Sequence, residues 1–151
     1  MKSSATSSVV IDANIVVYAV WEGERTAAAD ALLNRLEVEE KILHVPALWR
    51  AEVVSVLHAI GALHGADREH VKAAVQAALG MGIKVVPLDD ALCFAALEWA
   101  DALRQTKAYD AFYLALADRL GCDFWTGDKR LYNRARQVGA DFVRLLGESE
   151  A

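Results

Sequence analysis

Four carboxylates, Asp12, Glu52, Asp110 and Asp128, each stand where an apolar segment meets a turn or the start of a helix. Asp12 closes the strand-like run Ser8-Val9-Val10-Ile11, and Asp128 follows Phe124-Trp125-Thr126-Gly127 in the same way. Glu52 and Asp110 fall early in helical stretches, on faces that are otherwise apolar. Core packing supplies no reason for such placements, because a buried unpaired charge is expensive. Brought together, the four form a nest of negative charge that calls for a divalent cation. Their oxygens are hard and no Cys or His stands near them, which selects Mg2+ or Mn2+ over Zn2+. Ions of that kind activate water and hold a scissile phosphate, so the chemistry to expect is metal-dependent phosphodiester hydrolysis.

Positioning the acids requires strands that end beside helices that begin. Short β-branched or aromatic runs at 9–12, 42–45, 84–87, 123–126 and 142–145 alternate with longer helical patterns. Such runs suit a buried parallel sheet with helices on both faces. Pro46 suits the first turn of a helix running to about Leu63, on which Trp49, Val53, Val56, Ile60 and Leu63 form the core stripe. Further helices are expected at 68–79 (capped by Asp67), 90 to about 104 (capped by Asp89), 109–120 and 129–138, with Gly80, Gly121 and Gly139 ending the first, third and fourth. Leu48 and Val56 share the face of Glu52, and Tyr113, Leu114 and Ala117 share that of Asp110. In a wound sheet the chain leaves each strand at the carboxyl edge, where open α/β sheets place their sites. Asp12 and Asp128 sit at strand exits, Glu52 in the second turn after strand two, and Asp110 at the start of the helix feeding strand four. The plain alternative for Glu52 and Asp110 is an acid favoured by the helix dipole.

The chain has 151 residues and a 55% hydrophobic fraction, which fits one domain with a substantial core. We expect a polar tail at 1–8, a single domain at 9–146 and a short tail at 147–151. The leader has no apolar run after its lysine, and no stretch approaches the ~20 apolar residues of a membrane span. Cys93 and Cys122 are too few for a disulfide framework and are expected as buried, reduced thiols in a cytoplasmic protein. The net charge of −5 argues against a nucleic-acid-coating protein, but removing the four acids leaves −1. From Asp128 to Arg144, five basic residues (Lys129, Arg130, Arg134, Arg136, Arg144) face two acids, a local surplus of +3 beside one candidate ligand. Asp118 is expected as a surface acid. His58, His64 and His70 recur every six residues, which scatters them around a helix instead of building a zinc site. Trp49 and Trp125 fall in core positions, whereas Trp21 lies between helices and is the candidate for a dimer or partner contact.

Asp12 with Asn14, then Glu52, then Tyr109-Asp110-Ala111 and Thr126-Gly127-Asp128 resemble, in order, the motifs of PIN-domain ribonucleases. The resemblance runs from about Val9 to Leu146 and is greatest to VapC-type toxins of toxin–antitoxin pairs. It implies a Rossmann-like fold with a five-stranded parallel sheet in the order 3-2-1-4-5. It also implies that Asp12, Glu52, Asp110 and Asp128 bind Mg2+ or Mn2+, with Asn14 and Thr126 as polar supports. The activity implied is endonucleolytic cleavage of RNA to 5′-phosphate and 3′-hydroxyl ends. A homodimer and a neutralising antitoxin are the partners implied. Arg50 and the eight-residue leader are less usual for the family.

Two other classes compete. A non-catalytic PIN-fold binding or assembly module would be favoured by a missing acid, and none is missing. An α/β phosphate-transfer enzyme is the third: haloacid-type phosphatases want Asp where Asn14 stands, and receiver domains want a strand-end Asp where Glu52 sits inside a helix.

Overall fold

Strand β1 (Ser8–Ile11) forms the centre of the sheet, and Val9, Val10 and Ile11 are at most 2% exposed. Burial on both faces explains why the run is uniformly apolar and not alternating. The computed structural model describes residues 7–148, so the tails expected at 1–8 and 147–151 lie largely outside the described residues. Two helices, α1 (Ala13–Val20) and α2 (Thr26–Val38), lie on either side of Trp21 and lead to β2 (Ile42–Pro46). Helices α3 (Leu48–Leu63) and α4 (Arg68–Leu79) then lead to β3 (Lys84–Val86). Helices α5 (Asp90–Ala102) and α6 (Tyr109–Leu120) return the chain to β4 (Phe124–Thr126), and α7 (Lys129–Gln137) leads to β5 (Val143–Leu145).

All pairings are parallel, and the sheet order is β3-β2-β1-β4-β5, as expected. The winding direction reverses between β1 and β4, whose register places Ile11 beside Trp125. A reversal of this kind splays the connections apart and opens a crevice beyond the strand ends. Asp12 and Asp128 therefore leave the sheet on the two sides of one crevice.

Helix α6 is buried along much of its length, with Ala111, Tyr113, Leu114, Ala115, Leu116 and Ala117 inside. The caps expected from sequence are present: Asp67 accepts from His70 N–H and Asp89 from Leu92 N–H, each at 2.8 Å.

Three expectations need correction. Pro46 ends β2 and does not open the helix; the bond to Val86 O comes from Ala47 N–H at 2.9 Å, so the missing proline N–H costs nothing. The core stripe of α3 is Trp49, Val53, Leu57 and Gly61, while Val56 and Leu63 are 41% and 81% exposed. Helix α4 packs closely on the buried face, where a Cβ on Gly61 would collide with a Val71 methyl. Finally, Cys122 is buried but Cys93 is exposed on α5.

Candidate active site

Asp12 occupies the cap position of α1, yet its side chain makes no capping bond. Its Oδ2 instead accepts the Thr126 hydroxyl at 2.7 Å and Asn14 Nδ2 at 3.4 Å. Thr126 is fully buried, and its Oγ1 also accepts Asp128 N–H at 3.0 Å. Asn14 Oδ1 takes Gly127 N–H at 3.0 Å. The exits of β1 and β4 are thus tied together by two short polar side chains that touch acids or their backbone. The approach is close enough that a Cβ on Gly127 would lie 2.6 Å from Tyr18 Cε2, so glycine is required there. Asp128 is exposed, and its Oδ1 accepts the N–H groups of Arg130 and Leu131, capping α7.

Glu52 and Asp110 approach from the helices. Tyr113, one turn beyond Asp110, donates its hydroxyl to Glu52 Oε1 at 2.6 Å and stacks on Phe124 at 5.5 Å. Gln105, in the loop before α6, donates Nε2 to Asp110 Oδ2 at 3.5 Å, while its own Oε1 is buried without a partner. The acids repel one another across the crevice. Burial, with the charges of Asp110 and Glu52 behind it, pushes Asp12 up to about 7 despite the bond from Thr126. Burial raises Glu52 as well, opposed by the Tyr113 bond and reinforced by Asp110. Asp110 is raised by burial and then by Asp128. Tyr113 is held above its usual value, first by burial and then by the neighbouring carboxylates.

Each of the four acids is therefore electrostatically coupled to at least one other, in the chain Asp12–Glu52–Asp110–Asp128 with a direct Asp12–Asp110 link. Among the described residues, no three His, Cys, Asp or Glu side chains stand close enough to hold an ion as they lie. The donor set itself, carboxylate oxygen supported by hydroxyl and amide groups, fits a hard divalent cation. Closing three or four of these oxygens on one ion asks for side-chain movement on binding.

Two clefts open beside the acids. One, of about 410 Å3, is lined by Glu52, Arg104, Gln105, Lys107, Asp110 and Arg134 among others, with Tyr109 at its edge. The other, of about 160 Å3, is lined by Gln105, Asp128, Arg130, Leu131 and Arg134. Arg104 ends α5 in the left-handed conformation (φ 56°), with Gln105 N–H bonded to Ala100 O at 3.0 Å. A side chain there costs roughly 1–2 kcal/mol relative to glycine.

The model of the PIN domain matches residues 9–137. The chain belongs to the PIN-domain family. Among curated proteins, no sequence matches it. Among solved structures, this PIN domain is similar to a chain of FitAB bound to an IR36 DNA fragment (TM-score 0.69, 16% identity), covering 95% of this chain and 98% of that one. It is also similar to a chain of VapBC2 from Rickettsia felis bound to a DNA fragment from their promoter (0.66, 13%; 92% and 98% covered). A third is VapC20 of Mycobacterium tuberculosis, a sarcin-ricin loop cleaving toxin (0.56, 19%; 78% and 86% covered). At these identities the likeness is one of fold.

Several residues of this PIN domain that shape the crevice carry no sequence signal of doing so. Arg25 donates to Gly127 O at 3.0 Å and Leu146 O at 3.3 Å, with its guanidinium 4.9 Å from the Tyr18 ring centre. Tyr113 was visible only as a core position, and Gln105 not at all. The basic stretch after Asp128 divides: Arg130 and Arg134 line the clefts, but Arg136 binds Asp141 O and Arg144 pairs with Asp123. Trp21 rests on His70 at 4.5 Å beside a cavity of about 590 Å3, with Tyr18 and Ile60 in its walls.

Proposed function

We propose that this PIN domain is a metal-dependent endoribonuclease and the toxin of a VapBC-type toxin–antitoxin pair. The observation that carries the reading is the coupling of four carboxylates at one sheet edge, three of them raised by burial and mutual repulsion. Asp12, Glu52, Asp110 and Asp128 would hold Mg2+ or Mn2+. Bound there, such an ion supplies an activated water and neutralises charge at the scissile phosphate. Thr126 and Asn14 hold the Asp12 carboxylate by its Oδ2, and Tyr113 holds Glu52 by its Oε1, which leaves the second oxygen of each acid to turn towards an ion. Asp110 is steadied by Gln105, and Asp128 by the first turn of α7.

The named relatives support the biological half of the proposal: two are VapBC and FitAB complexes, and one is a toxin that cleaves the sarcin-ricin loop. A cognate antitoxin, a homodimer and a cytoplasmic location belong to the same proposal, with Trp21 as the candidate contact for one of these partners. Among the described residues, no helix is long and apolar enough to cross a membrane. The family match over 9–137 supports the greater part of the single domain proposed at 9–146. A non-catalytic PIN module is the second reading, favoured by the ungathered acids.

Sequencing RNA ends after induction in a bacterial host separates the two. The wild type is expected to arrest growth and to generate new 5′-phosphate ends, and Asp128→Asn to do neither. Cleavage that survives the substitution overturns the nuclease proposal.

A further inference from the structure

The two clefts adjoin, because Gln105 and Arg134 line both. Along the shared wall, Glu52 and Asp110 line one cleft, Asp128 and Arg130 line the other, and Gln105 and Arg134 stand in both. Their rim is basic. Arg104, Lys107, Arg130 and Arg134 are exposed, and among the described residues none of them forms an ion pair. Tyr109, which lines the larger cleft, is 59% exposed, whereas Tyr113 and Phe124 are fully buried.

We propose that the two clefts together form a track for one RNA strand, with Tyr109 stacking on an unpaired base and the four basic residues holding phosphates on either side of the acids. The proposal rests on the ribonuclease reading of the site and names how its substrate is held. Unpaired cations placed along a groove are what a phosphate backbone requires. An exposed ring beside them adds a stacking platform, which selects a single strand because a duplex keeps its bases covered. Arg104 supplies an independent sign. It occupies a left-handed helix end where glycine would be more stable, and it does so at the mouth of the track.

The test measures binding of a short labelled single-stranded RNA to full-length protein carrying Asp12→Asn, a buried position that lines neither cleft, across a salt series. Adding Arg134→Ala should weaken binding several-fold and reduce the salt slope by about 0.7, the loss of one phosphate contact on a single strand. Tyr109→Ala should weaken it about tenfold with the slope unchanged. Arg104→Gly should raise the melting temperature and still weaken binding, which a folding defect cannot produce. Arg136→Ala, on the same helix but bonded to Asp141, should change nothing. The track is overturned if Arg134→Ala and Tyr109→Ala bind like their parent, or if a duplex binds as well as the single strand. Cleavage assays with these substitutions in the otherwise wild-type chain separate the two levels. Cleavage with unchanged KM removes the track alone, whereas neither cleavage nor binding by any form removes the nuclease proposal with it.

Discussion

The two edges of the sheet carry charge in opposite ways. At the amino edge, Arg144 pairs with Asp123 at 3.5 Å and Arg35 with Glu39 at 3.7 Å, with every partner at least 40% exposed. A cleft of about 370 Å3 opens there too, walled by Arg35, Lys41, Asp118 and Trp125. Its acids face cations and water. At the carboxyl edge the acids face one another: Asp12 is 7% exposed, and its nearest charges are Asp110 and Glu52. Paired charge in water contributes solubility and little else. Like charge held out of water is costly, and a fold keeps it where a cation or a reaction requires it. Cavity size does not distinguish the edges, but charge pairing does.

The strongest test of this contrast exchanges one acid at each edge. Asp110→Asn is expected to cut RNA cleavage a hundredfold or more, as the loss of several kcal/mol of charge stabilisation would. Asp123→Asn should leave the cleavage rate unchanged. Equal losses would erase the distinction.

Next comes pH. Burial and the neighbouring acids push Asp12 up to about 7 in the folded chain, against 3.8 for an ordinary aspartate, so the folded state binds the extra proton. Its contribution to stability is therefore complete below about pH 4 and is lost as pH rises towards 7, on the order of a few kcal/mol. In chelator, the melting temperature of Asp12→Asn should surpass or approach that of the wild type across this window, most clearly near neutrality. A wild-type melting curve identical in pH dependence to the variant's would refute the burial of charge at this edge.

Mn2+ should reverse that cost. At a hundredfold excess over Kd, binding to the folded state alone adds about 2.7 kcal/mol. For a chain of this size that is a rise of roughly 5–10 °C in Tm. Asp12→Asn should lose most of the rise, and Asp123→Asn should keep it.

Gly127→Ala probes the strand exits without altering charge. The clash with Tyr18 should destabilise the protein by about 1–3 kcal/mol, and urea denaturation measures it. The smallest effect belongs to the amino edge: Arg144→Ala should shift stability by less than about 0.5 kcal/mol.

Much of this was legible in the chain itself. The five strands, their parallel character and the bounds of α4 and α6 follow from short apolar runs, capping acids and glycines, which act over a few residues, whereas the order of the strands came only with the resemblance to PIN domains. The four acids declared themselves by standing among apolar neighbours. The buried face of α3 was misread at Val56 and Leu63, because the close approach of Gly61 to Val71 belongs to the packing against α4 and leaves no local pattern. Nor could the division of the basic stretch be read, since Arg130, Arg134, Arg136 and Arg144 look alike until the sheet sends them to different edges.

Local pattern alone, then, determined the alternation of strands and helices and which residue types stand at their ends, because periodicity and capping are local; the order of the strands rested on the resemblance. The tertiary structure decided what each acid faces. Asp12 meets Thr126 across 114 positions and Glu52 meets Tyr113 across 61, and the raised carboxylates arise only when those long loops close around one crevice. Burial and mutual repulsion are properties of that shared space, and no single segment of the chain contains them.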